Sequence, residues 1–273
     1  VSVSADHLRW TVAQESDEGW TSLQASVAAI GVRNGRLVLN GVVQSASGLR
    51  LTATAAHRGL KVGTLRVRGE VAIYKDGDRL TVVNVLPLED YLVGVLGGEM
   101  PRAFPLEALK AQAIAARTYA LNKKIDQLDR TYYLGSNVIS QVYKGLDVED
   151  PKLALAVRST RGLVLTWMLQ PIEAYFHSSC GGKTETGLEA LGRDLPYLTS
   201  VECPCGSLTN THWRLRLAST DLSAIGVPRF SRGERLDVDS RTSTGRARRM
   251  KIGQQFIDAV TLRQRLGYMK LKS

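Results

Sequence analysis

The chain has 273 residues, 44% of them hydrophobic and 23% charged, and a formal net charge of +10. This is the balance of a soluble globular protein with room for one large domain or two ordinary ones. No repeat or low-complexity tract interrupts it, and no apolar run approaches the ~20 residues of a membrane span, so no span is expected.

The chain begins Val-Ser-Val-Ser without Met, so a processed or trimmed form is expected, from which any export signal would already be gone. Residues 1 to 87 read as strands. The stretches GRLVLNGVV, LRLTATA, TLRVRGEVAIY and RLTVVNVL are rich in β-branched residues, partly alternating, and punctuated by Gly, Asn and Asp. In YKDGDRL an Asp-Gly pair between two apolar runs marks a hairpin.

The character then changes. Pro105 fits the first position of a helix. Leu106, Leu109, Ala113, Ala116 and Ala120 follow on one face, to about Lys124. Glu107 and Lys123-Lys124 suit the helix dipole. A second helix is predicted in EDPKLALAVRSTRG, with Asp150 as cap, Pro151 as start and Gly162 as end. Strands are expected again at LVLTW and IEAYF, then mixed structure with ERLDVDS, ARRMKI and a short helix at VTLRQRLG. The fold class is α+β: a β-rich N-terminal part, central helices, and a mixed β-rich C-terminal part.

Four constellations carry chemistry. Glu99 lies in LVGVLGGEMP, behind Gly97-Gly98 and ahead of Met100-Pro101. The glycines allow close approach of the backbone to a ligand. Pro101 pushes Met100 out of helical geometry, so the chain bends after the acid. Val93, Val95, Leu96 and Met100 would desolvate the carboxyl, as a general acid requires. In SQVYKG, Gln141 and Tyr143 share one side if the segment is a strand, an amide and a phenol suited to a sugar. The competing reading is an ordinary edge strand. In AYFHSSCGGKTETG, Tyr175, His177 and Ser179 share one face of an extended segment. A Ser–His hydrolase built on Ser178 or Ser179 is a weak reading, since no G-x-S-x-G elbow is present.

The fourth constellation is Cys180, Cys203 and Cys205. Two readings stand side by side: a structural zinc whose fourth ligand is His177 or His212, and a disulfide from Cys180 to Cys203 or Cys205 in an oxidising compartment. From Arg229 onward, 12 Lys/Arg face 4 Asp/Glu, a net +8. Such a stretch attracts polyanions. No nucleic-acid motif accompanies it, so a solvated face is favoured and no nucleic acid is expected as partner.

Taken together, VVNVLPLEDYLVGVLGGEMP, EALKAQAIAARTYAL, SQVYKGL, AVRSTRGLVLT, YFHSSCGGKTE and PYLTSV resemble the core of the SpoIID/LytB family of bacterial peptidoglycan proteins. The tail from LDVDSRTSTGRARRMKIG to its end is similar to that family's C-terminal stretch. The resemblance spans roughly residues 60 to 273 and implies an N-terminal β-rich segment at 1–58 and a SpoIID-like catalytic domain at 59–273, or one continuous domain of both. It implies central helices beside a catalytic groove and a lytic transglycosylase, an enzyme that cuts between N-acetylmuramic acid and N-acetylglucosamine without adding water. Glu99 matches the family's catalytic Glu, and a single carboxylate suffices where a hydrolase uses two. Gln141, Tyr143, Tyr175, His177 and Ser178 match positions expected to line the groove, with Arg117 or Tyr119 supporting Glu99 from behind.

Some members of the family hold zinc between the catalytic Glu and the His-Ser loop. The matching stretch here, DQLDRTYYLGSNVIS, has no Cys or His. Catalysis then requires no cofactor, and any zinc at the cysteines is structural. The expected partners are glycan strands, preferably stripped of stem peptides, and the expected place is the bacterial envelope after export. The alternative is a LytB-like protein that grips glycan or enhances a cell-wall amidase without cutting. A third reading is a zinc-stabilised basic protein that binds polyanions.

Overall fold

Turn residues in the first part of the chain cut its described residues into eleven short strands. They are β1 (Ser2–Ser4), β2 (Leu8–Val12), β3 (Thr21–Leu23), β4 (Val27–Arg33), β5 (Arg36–Leu39), β6 (Val42–Val43), β7 (Gly48–Ala53), β8 (Leu60–Val62), β9 (Leu65–Val67), β10 (Glu70–Asp76) and β11 (Arg79–Val85). The structure, a computed structural model, describes residues 1–12, 21–23, 25–54, 59–127, 130–135, 140–207, 214–218, 221, 226, 235–267 and 270–271. Asn34 and Gly35 both have positive φ, 51° and 69°, and close the β4–β5 hairpin in the twist that hairpins favour. The predicted Asp-Gly hairpin joins β10 to β11, with Gly77 at φ 58°.

These strands form two antiparallel sheets, β6-β5-β4-β1-β8-β9 and β11-β10-β7-β2-β3. Val3, Ile30, Leu37 and Leu60 of the first share one core with Leu8, Leu49, Leu51 and Ile73 of the second. This is the face-to-face packing of a sandwich. β8 pairs with β1 and β10 with β7, so residues on both sides of position 58 belong to the same sheets. By its contacts the chain divides into Val1–Tyr175 and Phe176–Ser273.

Three helices complete the first unit: α1 (Leu88–Glu99), α2 (Leu106–Asp126) and α3 (Pro151–Ser159). α2 begins one residue after Pro105, which caps it instead of opening it. α3 follows its predicted signals, with the Asp150 side chain accepting from the Lys152 amide at 2.8 Å and Pro151 in the first turn. α1 is a finding, since the sequence reading placed Glu99 ahead of a helix and not on one. Its first turn carries Glu89 and Asp90, and Tyr91, Leu92, Val95 and Leu96 are buried. They pack with Leu109, Ala113, Ala116, Leu153 and Val157 in a second core. Tyr143 packs against both cores of this unit.

Beyond α3, LVLTW contributes only β12 (Thr166–Trp167), paired with β13 (Gln170–Pro171). IEAYF forms no strand; Tyr175 lies in irregular chain.

In the second unit, α4 (Gly187–Leu191) precedes the three-stranded sheet β14 (Leu236–Arg241), β15 (Ala247–Ile252) and β16 (Gln255–Asp258). α5 (Ala259–Leu266) follows, capped by Asp258, whose side chain accepts from the Val260 and Thr261 amides at 2.9 and 3.1 Å. The core here is small. Among the described residues of this unit, Cys180, Gly187, Ile252 and Leu262 are buried. No helix is long and apolar enough to cross a membrane among the described residues.

Candidate active site

α1 carries Glu99 as its last residue. A carboxylate there meets the negative end of the helix dipole, a placement that costs about 0.3–1 kcal/mol. Stability alone does not select it. The half-buried side chain accepts a hydrogen bond from the Val142 amide to Oε1 at 2.7 Å. Among the described residues it makes no ion pair. Met100 is extended at φ −130° and ψ 138°, as Pro101 requires, and its amide closes the helix on the Leu96 carbonyl.

The segment that reaches Glu99 is Gln141–Val148, and three glycines of α1 admit it. A Cβ on Gly94 would lie 2.6 Å from the Tyr143 ring, one on Gly97 2.5 Å from the Val148 carbonyl oxygen, and one on Gly98 would overlap the Val142 carbonyl oxygen. Positions 94, 97 and 98 lie on one helical face. This corrects the sequence reading: Gly97 and Gly98 make room for the chain's own backbone, not for a ligand.

Gln141 is 0% exposed. Its Oε1 accepts from the Tyr91 hydroxyl at 2.9 Å, and its Nε2 donates to the Ala116 carbonyl at 3.1 Å. An amide so enclosed ties α1 to α2 and offers nothing to a sugar. The strand periodicity used to place it beside Tyr143 does not apply, because residues 141–144 form no strand. Gln141→Ala would leave a buried hydroxyl and carbonyl unpaired. It is expected to lower stability by roughly 2–3 kcal/mol in urea unfolding. A glycan-facing Gln would leave stability unchanged.

Tyr143 stacks on Tyr91 with ring centroids 5.3 Å apart. Burial pushes its hydroxyl up to about 12, helped by the negative Glu149. Burial raises Tyr91 as well, so both remain protonated donors at neutral pH. The two rings line a 590 Å³ cleft with Tyr132, Tyr133, Val82 and Asn84. Tyr132 and Tyr133 are exposed, and sequence reasoning missed both together with Tyr91. Glu99 does not line this cleft; Tyr91 lies roughly 12 Å from it along α1.

Arg117 does not support Glu99. It is 1% exposed and forms a two-pronged ion pair with Glu89, 2.8 Å at each prong. It also donates to the carbonyls of Val157 and Leu163 at 3.1 and 3.2 Å, fastening α1, α2 and the end of α3. Tyr119 packs edge-on against Tyr175, centroids 5.9 Å apart. The exposed Tyr175 donates its hydroxyl to Glu173 at 2.7 Å, and Lys123 pairs with the same carboxylate at 3.1 Å.

The second unit holds the remaining predicted residues. His177 and Ser178 are exposed. Ser179 Oγ accepts from the Gly181 amide at 3.4 Å, a local turn contact. Among the described residues no hydrogen bond joins His177 to either serine. Gly181 and Gly182, at φ 68° and 108°, turn the chain, and Thr184 and Gly187 then donate amide bonds to Val201 and Leu198. PYLTSV is therefore the backbone partner of GGKTE. Burial pushes the Glu185 carboxyl up, but hydrogen bonds from Thr244 and Thr242 outweigh it and hold it below the usual carboxylate range. The sequence reading gave Glu185 no role; it ties the glycine loop to the β14–β15 turn.

Cys180, Cys203 and Cys205 bring their Sγ atoms within 4.8 Å of one another. Burial pushes Cys180 up to about 11, while a hydrogen bond from Cys180 draws Cys205 down to about 6. His177 lies outside this cluster, and His212 lies outside the described residues. Within the unit, Arg248 pairs with Glu189, and Arg249 with Asp239 at 2.6 Å.

Comparison with known proteins bears on the first unit most strongly. The family model for SpoIID, described as stage II sporulation protein, matches residues 76–167. The chain is 37% identical over 149 residues to stage II sporulation protein D of Bacillus subtilis, covering 49% of this chain and 43% of that one. It is 32% identical over 205 residues to stage II sporulation protein D of Bacillus amyloliquefaciens, covering 70% and 57%. The chain belongs to the SpoIID family. It is also 41% identical over 107 residues to the amidase enhancer of Bacillus subtilis, covering 39% of this chain and 14% of that protein. The chain therefore spans about half the length of the sporulation proteins it matches. The matched SpoIID segment contains α1 with Glu99, α2, the Gln141–Val148 segment and α3.

Proposed function

We propose that this SpoIID-family protein acts on the bacterial cell wall, cutting peptidoglycan glycan strands between N-acetylmuramic acid and N-acetylglucosamine as a lytic transglycosylase. The observation that carries this reading is Glu99: a half-buried acid at the wrong end of a helix for stability, held by one backbone amide and free of ion pairing among the described residues. Protonated Glu99 gives its proton to the glycosidic oxygen, and the C1–O bond breaks. N-acetylglucosamine leaves with a hydroxyl. The Glu99 carboxylate then takes the proton of the muramic acid 6-hydroxyl, whose oxygen closes on C1 as a 1,6-anhydro ring. The acid ends as it began, so no second carboxylate, metal or water is consumed.

Exposed Tyr175, His177 and Ser178 are the proposed sugar contacts, and the tyrosines of the cleft offer further stacking faces. Peptide-stripped glycan is the proposed substrate, and the envelope, reached by export, the proposed place of action.

A second reading rests on the amidase enhancer relative. In it the protein grips glycan and assists a cell-wall amidase without cutting. Incubating the purified chain with peptide-stripped glycan strands and measuring soluble fragments separates the two. The transglycosylase reading expects release that grows with time. No release, with the strands still retained in a pull-down, would favour the enhancer reading.

A further inference from the structure

We infer that Cys180, Cys203 and Cys205 form a three-thiolate zinc site that staples the C-terminal unit. This inference is independent of the glycan reading. Three sulfurs, not two, converge: all lie within 4.8 Å of one another, with Cys180 and Cys205 Sγ 3.1 Å apart. Thiolates on a tetrahedral zinc, each about 2.3 Å from the metal, lie roughly 3.8 Å from one another, so small shifts bring this trio onto one ion. A disulfide would use two of the three and leave the third thiol pressed against it.

The backbone holds both ligand-bearing turns ready. Gly181 and Gly182 reverse the chain after Cys180 through positive φ. Cys203-Pro204-Cys205 turns in a short 3-10 segment, in which the Cys205 amide points at Cys203 Sγ at 3.4 Å. An amide donor to sulfur stabilises a thiolate ligand. The Cys203 amide bonds to the Gly182 carbonyl at 2.9 Å, and an isolated bridge joins Lys183 to Glu202, so the turns are docked side by side. Arg246 donates to the carbonyls of Cys180 and of Lys183, the latter at 2.8 Å, linking the site to the strand-bearing tail.

The unit also has a need for such a staple. Among the described residues its hydrophobic core centres on Ile252 and Leu262. Small units with so little buried apolar area are commonly completed by a metal or a disulfide. Zinc entry displaces the three thiol protons to solvent, which couples metal binding to folding of the unit. Cobalt(II), an electronic reporter at thiolate zinc sites, serves as a spectroscopic stand-in.

The test uses the full chain purified under reducing conditions. Metal content, thiol count after denaturation and thermal unfolding with and without a chelator are measured. The expected result is one zinc per chain, three titratable thiols, and a lower unfolding temperature after chelation that added zinc restores. Cobalt loading should give thiolate-to-metal charge-transfer absorption, weakened in Cys203→Ser. Because Cys203→Ser alone can unfold the unit, zinc uptake by the metal-stripped wild-type chain is followed with a chromophoric indicator as well. One titratable thiol with no zinc would establish the disulfide and overturn the site. Three thiols with no zinc uptake would overturn it equally.

Discussion

On the proposed mechanism, Glu99→Gln is expected to abolish glycan cutting, by roughly 10³-fold or more, while leaving the protein folded and able to hold glycan. General acid–base assistance is worth about 10²–10⁴-fold, and in the proposed mechanism one residue supplies it in both halves of the reaction. The amide of Gln neither gives up nor recovers a proton at the glycosidic oxygen. Its carbonyl oxygen still accepts from the Val142 amide, so that orienting contact survives. Removing a negative charge from the C-terminal end of α1 relieves a few tenths of a kcal/mol. The unfolding midpoint should therefore hold or rise slightly. Turnover on peptide-stripped strands, glycan retention in a pull-down and urea unfolding check the three parts. Normal cutting by the Gln variant would remove Glu99 from the chemistry.

Gly98→Ala should destabilise the protein and slow cutting together. In an open helix the change would stabilise by about 1 kcal/mol, since Ala is the better helix former. Here the added Cβ would overlap the Val142 carbonyl oxygen, which is backbone and cannot rotate aside. The Gln141–Val148 segment must move, taking the Val142 amide from Glu99 and loosening Gln141 between α1 and α2. Overpacking of this kind costs about 1–3 kcal/mol, and a disturbed buried hydrogen bond adds a comparable amount. The steric term outweighs the propensity term, so a net loss of roughly 2–4 kcal/mol is expected in urea unfolding. A gain in stability would mean that the segment does not rest on α1.

Much of the architecture is written locally. Asp76-Gly77 announces its hairpin, and Asp150-Pro151 announces α3, because caps and turns act over a few residues. α1 was hidden by its own glycines, which weaken any helical reading until the segment they accommodate is known. The same gap misassigned Gly97 and Gly98 to a ligand. Glu99 stood out through its motif, but its partner Val142 is 43 residues away. The family resemblance places Gln141 in a sugar groove, whereas its burial depends on the crossing of two helices. Arg117 pairs with Glu89, 28 residues back, and no local rule connects them. The cysteine trio was legible as a set, since three sulfur side chains within 26 residues are few enough to meet.

The central claim is that a sugar hydroxyl, not water, closes the reaction that Glu99 opens. Digestion of peptide-stripped glycan in water enriched with ¹⁸O, followed by mass spectrometry of the fragment ends, measures this directly. The account predicts 1,6-anhydro-muramic acid ends carrying no ¹⁸O, formed by wild type and lost in Glu99→Gln. Reducing ends that carry the label would contradict it.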